Sequence, residues 1–375
     1  MDNNYDDIRA YYDSEINDAL HRIANDPRFI GIANRFFPEV PLEELKEKLT
    51  SFHDADSMQK AIMAPIIQKI VDTSATSFNF YGMEKLDKDT PYLFISNHRD
   101  VILDAALLQL VLFKSGFRTS EITFGNNLMI NPFVVDIGRS NKMFKVERGG
   151  TRKEIYRNSM HLSEYIRMGI TQRKSSIWIA QRNGRTKDGF DKTETGVLRM
   201  FGMSGSKNFV ENYGELNIVP FTISFEYEPC DYFKTQEVYL RELHDGYTKA
   251  PDEDYQSILV GVNSNKGGIN ICINDPVTIE DLQKIVDTGT RAPINELTAL
   301  INKRINQSYK LWKTNYIAYD MLHNCNTYAD KYTPEEKTAF GRFALTQLAK
   351  IEEGDRKRLQ EIFLGIYANP VTNRE

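Results

Sequence analysis

Short apolar segments alternate with stretches of helical periodicity through the middle of this chain. The segments SFNFYG, PYLFISN, SSIWIA, NIVPFTISFEY and GGINICIN have the length and composition of strands. Helical patterns separate them over Val101–Ser115, Arg152–Met168 and Thr195–Met203. Because strands that alternate with helices build layered α/β domains, we expect an α/β fold with a mixed, mainly parallel sheet flanked by helices. Ligands of such folds bind at the carboxyl ends of the strands.

Helical patterns also precede and follow this region. We therefore expect an N-terminal helical segment at residues 1–75, an α/β domain at 76–290 and a C-terminal helical segment at 291–375. The stretch from Asp231 to Gly268 is polar and without clear periodicity, which predicts an irregular surface excursion. The most apolar run, Val101 to Phe113, is too short to span a bilayer and contains an aspartate.

A histidine and two aspartates follow the strand that ends at Ser96. His98 lies in the turn after this strand, and Asp104 lies in the first turn of the next helix. A carboxylate bonded to one imidazole nitrogen fixes the tautomer and stabilises the charged ring, so the pair fits a general base and its orienting acid. Asp100 competes with Asp104 for this place. The same residues also fit a helix cap and an ordinary first-turn acid.

Two further strand ends combine glycines with cations. Arg148 precedes Gly149 and Gly150, and Gly184 precedes Arg185 and Lys187. Glycine allows close backbone approach to an anion, arginine binds phosphate through two parallel hydrogen bonds, and lysine adds a point charge. Each motif alone is equally typical of a solvated basic face.

Charge is concentrated in the same region. The formal net charge of the chain is −5, yet the stretch from Arg139 to Lys187 holds thirteen basic and three acidic side chains. A cationic segment within an acidic protein indicates a local anion site and argues against nucleic-acid binding, which usually needs a basic total.

Taken in order, these motifs resemble the four sequence blocks of the glycerolipid acyltransferase family. The first block is similar to Asn97-His98 with Asp104, and the second to the apolar segment that ends at Arg148. The third is similar to Asn183-Gly184-Arg185-Thr186, and the fourth to the Val219-Pro220 strand. The resemblance covers roughly residues 77–277. Two departures are that five residues separate His98 from Asp104, where the family has four, and that Asn183 stands where the family has glutamate.

The resemblance implies that His98 removes the proton of an acceptor hydroxyl as this hydroxyl attacks an acyl thioester, while Asp104 orients His98. Arg148, Arg185 and Lys187 would bind the acceptor phosphate, and Asn97, Asn183, Gly184 and Pro220 would support the site. The donor would be acyl-CoA or acyl-carrier protein, and the acceptor glycerol-3-phosphate or, second, lysophosphatidate. No metal and no separate cofactor are expected, and the protein would meet its product at a membrane surface as a peripheral protein.

Two other functions remain open from the sequence. A non-catalytic lipid-binding or acyl-carrier-binding relative would share the fold, and the altered spacing after His98 favours this alternative. A phosphate-handling kinase is disfavoured because the sequence contains no GxxxxGK[ST] motif. The beginning of the chain is acidic, and Cys230, Cys272 and Cys325 are widely spaced, so we expect a cytoplasmic protein with reduced thiols.

Overall fold

A computed structural model describes residues 3–244, 247–250 and 253–374 of the chain. Its centre is a seven-stranded sheet in the order β1-β7-β6-β2-β5-β3-β4. The strands are β1 Ala75–Tyr81, β2 Leu93–Ser96, β3 Glu121–Gly125, β4 Met143–Val146, β5 Ile177–Ala180, β6 Ile218–Phe225 and β7 Gly267–Ile273. Strands β2 to β6 run parallel to one another, whereas β7 is antiparallel to β6 and parallel to β1. The sheet is therefore mixed and mainly parallel, as expected.

Helices precede the sheet and fill its crossovers. Before β1 lie α1 Asp13–Asn25, α2 Phe29–Phe36, α3 Leu42–Thr50, α4 Ala55–Met58 and α5 Ala64–Ser74. Between β2 and β6 lie α6 Leu103–Lys114, α7 Pro132–Ser140, α8 Arg152–Thr171, α9 Thr195–Phe201 and α10 Phe209–Gly214. The later helices are α11 Asp231–Leu243, α12 Glu253–Asn263, α13 Ile279–Asp287, α14 Pro293–Ser308, α15 Lys313–Leu322, α16 Pro334–Leu348 and α17 Arg356–Arg374.

Both faces of the sheet are buried, which explains its nearly continuous apolar strands. Phe94 belongs to an apolar cluster shared with α1 to α6, whereas Leu93 and Ile95 belong to a second cluster shared with α8, α9 and α14. This alternation follows from the two-residue repeat of a strand. A third cluster joins α15, α16 and α17 at the C-terminal end of the chain.

The expectation of an irregular excursion from Asp231 to Gly268 is wrong. This stretch forms α11 and α12, and β7 begins at Gly267. The buried side chains of α11 are all polar: Asp231, Lys234, Thr235 and Glu237. Because its fully buried positions are polar, the hydropathy pattern did not reveal this helix.

Pro220 lies inside β6, a central strand, where a proline is unusual. Its carbonyl accepts a hydrogen bond from the backbone N–H of Asn274, and pairing of β6 with β7 begins only at the next residue, Phe221. The missing N–H therefore falls just beyond the end of the β6–β7 ladder. Strand β3, which starts at the charged Glu121, was not among the predicted strands.

Candidate active site

His98 and Asp104 are in direct contact at the carboxyl end of β2. His98 Nδ1 lies 2.8 Å from Asp104 Oδ2, and both residues are buried. An ionised carboxylate can only accept, so Nδ1 donates and the Nε2 lone pair is left for a proton. The Trp178 ring stands edge-on to the imidazole, with ring centroids 6.1 Å apart. The pair therefore has the geometry of a general base and its orienting acid.

The turn between these residues accommodates its additional residue through backbone hydrogen bonds. Asp104 Oδ2 accepts from the backbone N–H groups of Arg99 at 2.6 Å and Asp100 at 3.0 Å. Asp100 instead faces the start of α6, where its Oδ1 accepts from the N–H groups of Ile102 and Leu103. Burial, followed by the charge of Asp104, raises the pKa of Asp100. Asp104, and not Asp100, is thus the acid that contacts His98.

Asn97 joins the His98 turn to the neighbouring strand. Its side chain exchanges two hydrogen bonds of 2.9 Å with the backbone N–H and C=O of Ile223 on β6. Such pairing satisfies a fully buried amide and fixes the residue before His98.

The three cations predicted to bind phosphate differ in their environments. Arg148 is exposed at the carboxyl end of β4. Arg185 is buried, with one hydrogen bond of 3.2 Å to Ser257 Oγ on α12 and with no partner for Nη1 among the described residues. Lys187 lies 3.0 Å from Glu237 on α11, and burial lowers its pKa to about 8. Of these three cations, Arg148 and Arg185 therefore have N–H donors that no acidic side chain of the described residues contacts directly.

The third sequence block forms a tight turn after β5. Gly184 has φ = 75°, a left-handed conformation that glycine adopts without steric cost. Asn183 is exposed, and its backbone N–H, rather than its amide, contacts Glu194 at 3.2 Å. The contact of Asn183 with Glu194 is therefore made by the backbone, and the Asn183 side-chain amide takes no part in it.

Helices α11 and α12 cover the third block. Ser257 contacts Arg185, Glu237 contacts Lys187, and Gly261 packs against Asp100. A Cβ atom at Gly261 would lie 2.2 Å from Asp100 Oδ2, so only glycine permits this approach. The stretch expected to be a surface excursion thus forms one wall of the site.

Sequence reasoning missed a buried charged network behind His98. Arg99, Asp191, Glu228 and Lys234 are each 4% exposed or less and are linked by ion pairs. They are scattered over the chain, and only Arg99, between His98 and Asp104, lies within one of the four blocks. Only the rarity of buried charges distinguishes them, and this becomes visible once the fold is known.

Neither a metal site nor a membrane span is found in the described part of the chain. No group of three or more His, Cys, Asp or Glu side chains there has the geometry to hold a metal ion. Likewise, none of the helices within these residues combines the length and the apolar character needed to cross a bilayer.

Comparison with known proteins finds a family match over part of the chain. Residues 77–224 match the family model described as Acyltransferase. No curated protein sequence matches the chain. Among solved structures, the 1-acyl-sn-glycerophosphate (LPA) acyltransferase PlsC from Thermotoga maritima is similar, with 15% identity and a TM-score of 0.39. The alignment covers 77% of this chain and 98% of that one, and a likeness this distant assigns neither substrate nor partner.

The matched residues include β1 from Ser77, β2 with the His98–Asp104 pair, the Arg148 and Arg185 loops, and β6 as far as Ser224. All four sequence blocks therefore fall inside the matched range. The family model therefore matches the part of the chain that carries the resemblance found in its sequence, residues 77–224, which is less than half of the 375 residues.

Proposed function

We propose that this protein transfers a fatty acyl group from a thioester to the hydroxyl group of a glycerophosphate-type acceptor. The observation that carries the proposal is the 2.8 Å contact between His98 Nδ1 and a buried Asp104, within a domain of the acyltransferase family. His98 Nε2 takes the hydroxyl proton while the acceptor oxygen attacks the thioester carbonyl. The C–S bond then breaks, and the proton passes to the departing thiolate, so the products are an ester and a free thiol.

Arg148 and Arg185 are proposed to hold the acceptor phosphate. Arg148 is exposed, and the Arg185 guanidinium has an unpartnered Nη1, so each can donate to phosphate oxygens. Lys187 would join them only by exchanging Glu237 for the substrate. Fixing the phosphate converts a collision between two substrates into a positioned reaction.

The donor is proposed to be acyl-CoA or acyl-carrier protein, both of which are anionic. Glycerol-3-phosphate is favoured as the acceptor over lysophosphatidate, because helices precede the catalytic domain as in the soluble glycerol-3-phosphate enzymes that the sequence resembles. The product would be amphipathic, so we propose that the protein acts in peripheral contact with a membrane surface. As expected from the sequence, the proposed compartment is the cytoplasm.

Thiol release tests the proposal. Purified protein should release thiol from acyl-CoA, or from the thioester of acyl-carrier protein, only when glycerol-3-phosphate or lysophosphatidate is present. His98→Ala should lower this rate by roughly two to four orders of magnitude, the usual contribution of a general base. His161→Ala, at a half-buried histidine on α8 that is paired with Asp7, is the matched control.

Undiminished transfer by His98→Ala would exclude His98 as the base. Binding of thioester or lipid without turnover of any acceptor would instead favour the non-catalytic alternative.

A further inference from the structure

Asp191 lies behind the His98 turn and contacts the residues on either side of His98. It is 1% exposed and follows the third sequence block. Its Oδ2 accepts from Asn97 Nδ2 at 3.3 Å and from Arg99 Nε and Nη2 at 3.1 and 2.5 Å. One carboxylate oxygen therefore ties together the two residues that flank the proposed base.

The other oxygen of Asp191 reaches His98 through Thr186. Asp191 Oδ1 accepts from Thr186 Oγ1 at 2.6 Å, and the Thr186 backbone N–H donates to the His98 carbonyl oxygen at 2.7 Å. Because Thr186 directly follows Arg185, the same carboxylate also fixes the loop that carries the proposed phosphate ligand. His98 is thus held from both of its neighbours and from its own carbonyl group.

Further ion pairs keep this arrangement rigid. Arg99 is fully buried and also lies 3.4 Å from Glu228, which is 2.5 Å from Lys234 Nζ. Lys234 Nζ in turn donates to the Arg99 carbonyl oxygen at 2.6 Å. The charges of two carboxylates balance those of two cationic side chains, so the buried network is satisfied and has a defined geometry.

We propose that Asp191 is a positioning residue for the acyl transfer, which acts by fixing the backbone of His98 so that its imidazole meets both Asp104 and the acceptor hydroxyl. The inference rests on the proposed function of His98. Displacing a catalytic group by about 1 Å can lower a rate by about a hundredfold, so a rigid support of this kind has a measurable consequence.

Two variants test this role with different costs to folding. Thr186→Val removes one hydrogen bond to Asp191 and keeps the backbone contact with His98. Asp191→Asn combined with Arg99→Gln removes both charges of the closest pair, so no single buried charge is left unpaired. Both should lower kcat by roughly 10- to 100-fold, the usual effect of residues that orient a site, with the KM of the thioester within about twofold of wild type.

The control is an ion pair away from the His98 turn. Glu121 and Arg173 lie 2.9 Å apart at the start of β3, and Glu121→Gln with Arg173→Gln should leave kcat unchanged in the fraction that folds. In a His98→Ala background, Thr186→Val should cause no further loss, because a residue that acts through His98 has no effect without it. A further tenfold loss there would overturn the proposal.

A spectroscopic measurement separates this proposal from the proposed activity. The imidazole Nδ1–H of His98 should give a downfield proton resonance that disappears in His98→Ala. This resonance should be lost or broadened in the Asp191/Arg99 variant and retained in the Glu121/Arg173 variant. Retention in both would overturn the positioning role, even if no acyl transfer were found. Absence of turnover with the expected resonance changes would reject the function and leave the positioning of His98 established.

Discussion

Asp100 and Asp104 are both fully buried, yet they make different contacts. Asp104 binds the imidazole and two backbone N–H groups through one oxygen, so its carboxylate holds the His98 turn closed. Asp100 binds the first N–H groups of α6, and burial raises its pKa. The sequence left open which of the two aspartates contacts His98. The path of the backbone between them places Asp104 against the imidazole.

Amide substitutions should separate the two aspartates. Asp104→Asn should lower kcat by about a hundredfold or more, because the amide can present a donor to Nδ1 and disfavour the required tautomer. Asp100→Asn should stay within about threefold of wild type, since its oxygen can still accept from Ile102 and Leu103. Steady-state kinetics on the two variants measures this difference. Equal losses would show that Asp104 has no special relation to His98.

Arg148 offers a test of phosphate binding that costs little stability, because its side chain is exposed. Arg148→Gln should raise the acceptor KM by about tenfold or more, since a hydrogen bond to a charged group contributes roughly 1.5–3 kcal/mol. The KM of the thioester should change by less than about twofold. Arg291→Gln, an exposed arginine between α13 and α14, is the matched control. Equal increases in both KM values would indicate that Arg148 binds the donor, or both substrates.

At the scale of elements, α12 is positioned by a glycine. The approach of Gly261 to Asp100 Oδ2 leaves no space for a side chain, and Asp100 cannot move freely because its other oxygen binds the start of α6. Helix α12 therefore lies against the turn that holds the His98–Asp104 pair, and it also contacts Arg185 through Ser257.

Gly261→Ala should destabilise the protein, although alanine is normally the better helix former by up to about 1 kcal/mol. Overpacking against Asp100 should cost roughly 1–3 kcal/mol, measured as the free energy of unfolding in urea. Gly31→Ala in α2 is the control, because nothing lies within 4 Å of the added Cβ, and it should stabilise the protein or leave it unchanged. A stability gain in Gly261→Ala would mean that α12 does not rest on Asp100.

The elements that sequence reasoning found are those with an apolar pattern. Strands β2, β5 and β6 and helices α6 and α8 were predicted because most of their buried residues are hydrophobic. Helix α11 was missed because it buries Lys234 and Glu237, whose burial depends on partners far away in the sequence. The same limit applies to the site. Its four blocks are local in the sequence, whereas the contacts of Asp191 and Glu228 with Arg99 become apparent only in the fold.

At the scale of the whole molecule, much of the basic segment from Arg139 to Lys187 serves the fold. Several of its cations are engaged by the protein itself, namely Lys142 by Asp56, Lys145 by Glu147, Arg167 by Glu215, Arg173 by Glu121 and Lys187 by Glu237. The positive charge in the sequence is therefore larger than the charge available to a ligand. Exposed Arg148 and the Arg185 Nη1, which has no hydrogen-bond partner among the described residues, belong to the part that remains at the carboxyl ends of the strands.

Asp231 joins the C-terminal helices to the rest of the molecule. It lies at the start of α11 and accepts a hydrogen bond of 2.8 Å from the Tyr367 hydroxyl on α17. The same hydroxyl accepts from the backbone N–H of Glu228, near the end of β6. Burial raises the pKa of Asp231 from 3.8 to about 7, so the folded protein keeps this proton where an unfolded chain releases it.

This difference predicts how stability depends on pH. Between about pH 4 and pH 7 the folded state binds more protons at Asp231 than the unfolded state, so its contribution to the free energy of unfolding falls as the pH rises through this range. At 1.36 kcal/mol per pKa unit, the wild type should lose roughly 2–3 kcal/mol relative to Asp231→Asn between pH 5 and pH 8. Urea unfolding of both proteins at the two pH values measures this loss. Asp18→Asn, an exposed residue on α1, should follow the wild type at both pH values. Parallel pH dependence of the wild type and Asp231→Asn would show that Asp231 is ionised in the folded protein and that burial alone does not govern its charge.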